Sequence, residues 1–141
     1  MAQETIALFL HLILAPKQGI GKRASAMLIV FTQGFKYTHN HRQLISFAGL
    51  SPTEFTSGTS IQGKPRIYKR GGKNLRDVLY MCAMNAIKTN TACKTLYERL
   101  RAKGKTGKQG LIAVCNKLLK QVYAVVKNGT MYQPNYCSAR P

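Results

Sequence analysis

Residues 57–76 combine three side-chain types that together suit a phosphodiester: hydroxyls, glycines and cations. The segment holds six basic residues within thirteen positions, namely Lys64, Arg66, Lys69, Arg70, Lys73 and Arg76. Glycines at positions 58, 63, 71 and 72 allow the backbone to approach a ligand closely. No acidic residue interrupts the segment. The pattern therefore predicts a loop that contacts the phosphates of a nucleic acid.

Ser57 is the candidate nucleophile of this segment, because Gly58 follows it and a Ser-Gly pair is typical of a sharp turn. A serine hydroxyl is a weak nucleophile until a base, a metal or a cationic environment activates it. Arg66 and its basic neighbours are suited to stabilising the charge of a pentacovalent phosphate. Two alternatives stay open from the residues alone: the pair is a plain turn, or Ser60 is the reactive hydroxyl.

A second phosphate-binding pattern is Gly-Ile-Gly-Lys-Arg-Ala-Ser at positions 19–25, which has the form of a helix-hairpin-helix turn. Gly19 and Gly21 permit a tight turn before a helix, where exposed backbone N–H groups bind a phosphate. Lys22 and Arg23 add positive charge. The alternative is a hairpin that packs two helices together and contacts no DNA.

A third basic cluster surrounds the turn between two predicted helices, and its members are Arg99, Arg101, Lys103, Lys105 and Lys108. The cluster is a candidate for further phosphate contacts. The alternative is a solvated helix end, since the dipole of a helix favours cations near its C-terminus, and this accounts for Arg101 and Lys103 equally well.

The whole chain is strongly basic: its 141 residues include 22 Lys and Arg against 4 Asp and Glu, a formal net charge of +18. Nucleic acid is the usual partner of such a charge, because each neutralised phosphate releases counterions. A membrane surface is the rival partner, but it requires a basic amphipathic helix, and the cations here lie largely in predicted loops. The apolar run that His11 interrupts is too short to span a bilayer. We therefore expect DNA as the partner and no membrane association.

The few carboxylates limit the chemistry that the chain can perform alone. Glu4, Glu54, Asp77 and Glu98 are scattered, and none pairs with another at helical spacing. A two-metal site for phosphoryl transfer needs several carboxylates that converge on the ions. We therefore expect no metal and no cofactor in this chain.

The cysteines, at positions 82, 93, 115 and 137, show no C-x-x-C spacing. Three of them fall in apolar, helix-like contexts, which predicts reduced thiols in or near the core of a cytosolic protein. The alternative is a zinc site that joins Cys137 to the pair His39 and His41.

Hydrophobic periodicity predicts a mainly α fold with a helix-hairpin-helix-like start, a long basic loop and a three-helix C-terminal part. Helical patterns cover residues 24–31 and 42–48 before the loop. The loop spans residues 49–73 and has room for a short hairpin around Phe55 and Ile67.

After the loop, Asn74 is the predicted N-cap of a helix, with Asp77 three residues further on in the manner of a capping box. Two more helices are predicted over residues 91–103 and 108–127. The apolar stripe of the last helix is predicted to contain Leu111, Val114, Cys115, Leu118, Leu119, Val122 and Val126.

Several short motifs follow one another in an order that is specific in combination. They are Gly-Ile-Gly at 19–21, Phe-Ala-Gly-Leu-Ser-Pro at 47–52, Arg-Ile-Tyr-Lys-Arg-Gly at 66–71, Leu-Arg at 75–76, Tyr-Glu-Arg-Leu-Arg-Ala-Lys-Gly-Lys at 97–105 and Asn-Gly-Thr-Met-Tyr at 128–132. This order resembles the C-terminal domain of bacterial insertion-sequence transposases of the "one-ten" family, which is also grouped with "one-sixteen" and "nine-oh-two". The resemblance divides the chain into an atypical segment (1–18), a DNA-binding and serine domain (19–134) and a tail (135–141).

The resemblance implies a serine recombinase of unusual build. In that family an N-terminal resolvase-like domain supplies acids and magnesium, the C-terminal domain supplies a serine that attacks DNA to form a phosphoserine link, and a structured guide RNA directs target and donor choice. By motif position Ser57 is that serine. The residues that would face DNA or RNA by the same resemblance are Lys64, Arg66, Lys69, Arg70 and Arg76. A homo-oligomer in the bacterial cytoplasm, associated with the nucleoid, is expected.

The acidic domain of that family has no counterpart in this sequence. We therefore expect a truncated or split transposase that is inactive alone and that meets magnesium only through an acidic resolvase-like domain on another chain. The alternative function is a non-catalytic basic module that binds DNA or RNA, or an inactive remnant of an element.

Overall fold

The computed structural model describes residues 19–53, 56–57, 61–62, 66–67 and 72–128, with side chains described in 19–51 and 72–128. Five helices occupy most of this part of the chain: α1 (Lys22–Thr32), α2 (His41–Phe47), α3 (Lys73–Thr89), α4 (Thr91–Ala102) and α5 (Gly107–Asn128). The predicted mainly α fold with a three-helix C-terminal part is confirmed. Each predicted helix boundary lies within two residues of the observed one.

Side chains cap the N-termini of α2, α4 and α5. Asn40 accepts a hydrogen bond from the backbone three residues further on at the start of α2. Asn90 does the same at the start of α4, and its carboxamide also donates to Gln121 of α5 at 3.2 Å. At the start of α5, Thr106 and Gln109 exchange two hydrogen bonds in a capping box. These caps satisfy N–H groups that have no partner inside the helix.

The chain between α2 and α3 forms an arm of four short antiparallel strands, which we call the β arm. The strands are β1 (Pro52–Thr53), β2 (Thr56–Ser57), β3 (Ile61–Gln62) and β4 (Arg66–Ile67). β1 pairs with β4 at the base of the arm, and β2 pairs with β3 further out. The predicted hairpin is confirmed around Ile67, whereas Phe55 lies outside the described residues.

The two ladders of the β arm differ in register by one residue. Pro52 opposes Ile67 at the base, and Ser57 opposes Ile61 in the outer ladder. Two residues separate β1 from β2, but three separate β3 from β4. The leg that follows the outer ladder is therefore one residue longer than the leg that precedes it.

The hydrophobic core forms around α5, which packs against α2, α3 and α4, while α1 packs against α3. The fully buried leucines are Leu28, Leu44, Leu50, Leu75, Leu79, Leu118 and Leu119. Each such side chain stabilises the fold by about 1.5–3 kcal/mol relative to an exposed one. Within the described ranges, no helix is both long enough and apolar enough to cross a bilayer.

The predicted apolar stripe of α5 is correct except at its ends. Leu111 is only half-buried, and Val125 rather than Val126 is buried near the C-terminus. A period of 3.6 residues leaves both the third and the fourth residue after Val122 close to the stripe, and packing decides between them.

Two glycines allow neighbouring helices to approach closely. Gly19 has φ +83°, and a Cβ atom there would lie 2.5 Å from the Cβ of Ala86 on α3. A Cβ atom on Gly110 of α5 would lie 2.8 Å from the ring of Tyr97 on α4. Real Cβ atoms do not approach so closely, so both contacts require glycine.

Candidate nucleic-acid interface

Ser57 ends strand β2 in the outer ladder of the β arm. Its backbone pairs with that of Ile61, so the predicted Ser-Gly turn comes directly after a paired strand. The three residues that join β2 to β3, Ser60 among them, lie outside the described residues. The choice of Ser57 over Ser60 as the nucleophile therefore stays a prediction.

Arg66 and Ser57 belong to different ladders of the β arm. Arg66 opposes Thr53 in the base ladder, four positions before Ser57 on the same leg. Lys64, Lys69 and Arg70 lie outside the described residues, so their contacts stay predictions.

Helix α3 begins before the predicted position, because Gly72 and not Asn74 is its N-cap. The N–H of Arg76 donates to the carbonyl of Gly72 at 3.2 Å, which closes a helical turn over Lys73. The predicted capping box of Asn74 and Asp77 is therefore wrong, since Asn74 already lies inside the first turn. No side chain among the described residues caps this helix.

The turn at Gly19 leads into α1 as predicted, and Gly21 is the N-cap of that helix. Lys22 and Arg23 are exposed in its first turn, and no side chain caps it. Burial raises the pKa of the Cys82 thiol, while a hydrogen bond with the Gly21 backbone opposes the rise. A phosphate contact at this turn stays a prediction.

The first helix of a helix-hairpin-helix motif would lie within residues 1–18, which are outside the described residues. The motif as a whole therefore stays a prediction.

Among the five described helices, the two without a side-chain cap from described residues are the two that follow the predicted phosphate-binding segments. Both α1 and α3 have a glycine N-cap, basic residues in the first turn and no acid there. An uncapped helix start carries unsatisfied N–H groups and the positive end of the helix dipole. Basic side chains are unfavourable at the positive end of a helix unless a bound anion neutralises their charge. Residues 1–18 and 68–71, which precede these starts, lie outside the described residues, so a phosphate as the cap at both starts stays a prediction.

The two helix starts are far apart. Gly19 contacts Ala86, which lies thirteen residues after Lys73 on α3. At 1.5 Å per residue, this corresponds to about 20 Å along the helix axis. On a straight duplex that distance spans about six base pairs. The two segments therefore make two contact sites instead of one.

The third basic cluster is exposed on the turn between α4 and α5, as predicted, and consists of Arg99, Arg101, Lys103, Lys105 and Lys108. Gly104 has φ +83° in this turn. The guanidinium of Arg101 donates to the backbone carbonyl of Lys105 at 2.8 Å, which braces the turn. Arg101 thus has a structural role, and phosphate contacts by the cluster stay a prediction.

The thiols of Cys82, Cys93 and Cys115 are free and buried, so the prediction of reduced core thiols is confirmed for these three. Burial raises the pKa of Cys93 to about 11 and that of Cys115 to about 12, which keeps both thiols protonated and unreactive. Within the ranges that the structure describes, no three potential metal ligands come together. The alternative zinc site depends on Cys137, which lies outside those ranges.

One polar groove was not predicted from the sequence, and we call it the α2–α5 groove. It has a volume of about 430 Å³ and is lined by His41, Arg42, Ile45, Ser51, Asn116 and Lys120. The hydroxyl of Tyr123 on α5 donates to the carbonyl of His39, and the rings of His41 and Tyr123 meet edge to face at 6.4 Å. These contacts hold the start of α2 against α5.

The lining residues come from segments that lie more than sixty positions apart, and no local motif joins such segments. The one sequence pattern that could have indicated the groove is Asn116, a polar residue beside the apolar stripe of α5, with Lys120 four positions later on the same face.

A helical body with a basic, glycine-rich arm and two uncapped, basic helix starts defines a domain suited to binding polyanions. Comparison with known families identifies the class of protein. The model described as "Transposase IS116/IS110/IS902 family" matches residues 12–98. The chain therefore belongs to this family of transposases, which confirms the resemblance seen in its motifs.

Individual relatives agree with this assignment. The chain is 31% identical over 121 residues to "Insertion element IS110 uncharacterized 43.6 kDa protein" of Streptomyces coelicolor, a match that covers 86% of this chain and 30% of the relative. It is 36% identical over 116 residues to "Pilin gene-inverting protein" of Moraxella lacunata, covering 82% of this chain and 36% of the relative. The chain thus spans about a third of the length of these curated relatives.

Proposed function

We propose that this chain is the DNA-binding part of a transposase that acts in DNA transposition or recombination, with Ser57 as its nucleophile. The observation that carries the proposal is the match of residues 12–98 to a transposase family. The name of a gene-inverting relative supports a recombination reaction. Under this proposal the chain acts on bacterial DNA at the nucleoid.

In this proposal, different parts of the candidate interface contact different phosphates of the DNA. The N–H groups at the starts of α1 and α3 bind DNA phosphates, joined by Lys22, Arg23 and Lys73. Further backbone contacts come from the basic residues of the β arm and from the third basic cluster. Arg66, in the base ladder, contacts a DNA phosphate near the one under attack.

The proposed chemical step is a phosphoryl transfer. The Oγ atom of Ser57 attacks a DNA phosphorus and forms a P–O bond, and the bond from phosphorus to the leaving DNA oxygen breaks. The serine loses its proton, and the leaving oxygen gains one. The product is a phosphoserine link, which a DNA hydroxyl later reverses by the same exchange. Nearby cations lower the barrier by stabilising the charge that develops on the phosphate oxygens.

The described residues do not fit a magnesium site. Asp77 and Glu98 are exposed on different helices, and no three potential ligands converge. The magnesium that the family resemblance implies would therefore have to be held elsewhere. We propose that an acidic resolvase-like domain holds it, and that a guide RNA and self-association complete the active assembly.

A covalent adduct tests the nucleophile. The full chain is mixed with an acidic resolvase-like domain of a family relative, its guide RNA and labelled target DNA, and the products are separated under denaturing conditions. A protein–DNA adduct is expected with the wild-type chain and is absent with Ser57→Ala. Ser60→Ala is the matched control and retains the adduct. An adduct that survives Ser57→Ala contradicts the assignment of Ser57.

The second candidate function is a non-catalytic module that binds DNA or RNA. The scarcity of carboxylates favours it: the chain has four Asp and Glu residues, and no three potential metal ligands come together in the described ranges. This candidate predicts strong, salt-dependent binding and no covalent product under any complementation.

A further inference from the structure

The α2–α5 groove joins groups of complementary chemistry around an apolar floor. Ile45 is 8% exposed and forms the floor, the imidazole of His41 lies on the wall, and the cations of Arg42 and Lys120 stand at the rim. None of the lining residues is acidic. The occupant that this lining favours is therefore an anion with a flat, partly apolar body.

Asn116 gives the groove a polar group without a partner. Its Oδ1 atom is buried and accepts no hydrogen bond. A buried acceptor without a donor costs about 1–3 kcal/mol, so the native chain is not at its most stable here. A half-turn about the last side-chain bond exchanges Oδ1 with the amide nitrogen, so either atom can be offered to a ligand. Because Oδ1 is shut off from solvent, the carboxamide offers one atom at a time to the groove, and that atom can pair with a polar group on the edge of a nucleobase.

We propose that the α2–α5 groove binds one unstacked nucleotide of a single-stranded nucleic acid. Arg42 and Lys120 contact its phosphate, the base stacks against His41 over Ile45, and Asn116 pairs with the base edge. Single-strand recognition uses this combination of cations, flat side chains and hydrogen bonds to splayed bases. The volume of about 430 Å³ lies within the range of small-molecule sites.

The position of the groove relates it to the proposed function, on which this inference rests. Ser51 lines the groove and immediately precedes Pro52, the first residue of the β arm. A nucleotide held there lies at the base of the arm that carries Ser57. The groove would thus fix one nucleotide of a melted strand or of an RNA beside the arm that performs the reaction.

The test measures the binding of the full chain to labelled five-nucleotide strands of oligoadenylate, one of DNA and one of RNA, by fluorescence anisotropy over a range of salt. Lys120→Ala is expected to weaken binding about tenfold and to reduce the salt slope by about one. Asn116→Leu is expected to weaken binding by a similar factor without lowering the melting temperature, because it removes an unsatisfied acceptor. If one of the two strands binds more tightly, the groove variants should weaken that strand, which identifies the source of the nucleotide.

Lys127→Ala is the matched control, since it removes the same charge from an exposed site on the same helix outside the groove. Affinities of the Lys120 and Asn116 variants within twofold of this control overturn the proposal for both strands. If Arg66→Ala weakens binding while the groove variants do not, the groove inference fails and the proposed function stands. If the wild-type chain binds neither these strands nor duplex DNA, both fail.

Discussion

Gly19 and Gly21 are two residues apart but meet different physical demands. Gly19 is buried, has a left-handed backbone and lies against Ala86, so packing alone accounts for its lack of a side chain. Gly21 is exposed, and a Cβ atom there would meet nothing within 4 Å. The motif Gly-Ile-Gly therefore combines a packing residue with an open helix start. A phosphate contact at either position stays a prediction.

The substitution Gly19→Ala is expected to lower the free energy of unfolding by about 2 kcal/mol or more. The new methyl group would overpack the contact with Ala86, and φ +83° is unfavourable for alanine. Gly21→Ala is the control, and it should cost less than about 1 kcal/mol because it affects only an N-cap preference. Urea unfolding followed by circular dichroism measures both. Equal losses for the two variants would contradict the close packing of Gly19.

At this scale the sequence predicted residue types better than residue roles. Lys22, Arg23 and Lys73 are exposed, as phosphate contacts require. The packing role of Gly19 could not be predicted, because its partner Ala86 lies far away in the chain and leaves no local pattern. The unpaired Oδ1 atom of Asn116 could not be predicted either, because its surroundings also come from distant parts of the chain.

Helix starts distinguish the elements that stabilise the fold from those that are open to ligands. Three starts are closed by Asn40, Asn90 and the pair Thr106 and Gln109. The starts of α1 and α3 have glycine N-caps instead. A capping side chain would stabilise these helices but would also occupy the N–H groups that a phosphate needs. Among the described residues, no side chain takes the place of such a cap at these two starts.

The substitution Gly72→Asn tests whether a capping side chain at the start of α3 competes with phosphate binding. The new carboxamide should cap α3 and raise the free energy of unfolding by a few tenths of a kcal/mol at unchanged net charge. The same cap should weaken duplex DNA binding severalfold, since it competes with phosphate for the same donors. Gly72→Ala, which neither caps nor adds charge, is the control and should not gain stability. Unfolding curves and binding titrations give the two readouts. Stronger or unchanged DNA binding by Gly72→Asn would count against the phosphate role of this helix start.

Periodicity predicted the helices well, because apolar stripes repeat over many residues. It predicted the β arm only as a loop with room for a hairpin, since strands of two residues show no alternation. The cap of α3 was predicted at Asn74 because the spacing to Asp77 imitates a capping box. The helix instead starts at Lys73, where the Gly72 carbonyl closes the first turn.

The molecule as a whole carries a net charge of +18 on 141 residues. The ion pair between Lys94 and Glu98 is exposed and has an N–O distance of 4.0 Å, so it offsets little of this charge. Self-repulsion of this size opposes the compact state, and mobile ions or a polyanion reduce it. The stability of the chain should therefore depend on the ions around it.

Raising sodium chloride from about 20 mM to about 300 mM is expected to raise the melting temperature, because the Debye length becomes shorter than the separation of most surface charges. Duplex DNA at low salt should raise the melting temperature further, by several degrees, and this gain should shrink at high salt. Dextran sulfate should imitate DNA, and uncharged dextran is the control. A melting temperature that responds neither to salt nor to DNA would contradict this account.

The paired base of the β arm has an evolutionary consequence. Because Pro52 and Ile67 oppose each other in the base ladder, the two ends of the arm lie side by side. A segment whose ends meet can be lengthened, shortened or exchanged without moving the elements that flank it. Gene conversion between related elements could therefore replace the arm as one cassette, while the leucine-rich body inherits its own mutations separately. Reactivity and foldability would then diversify at different rates within one small domain.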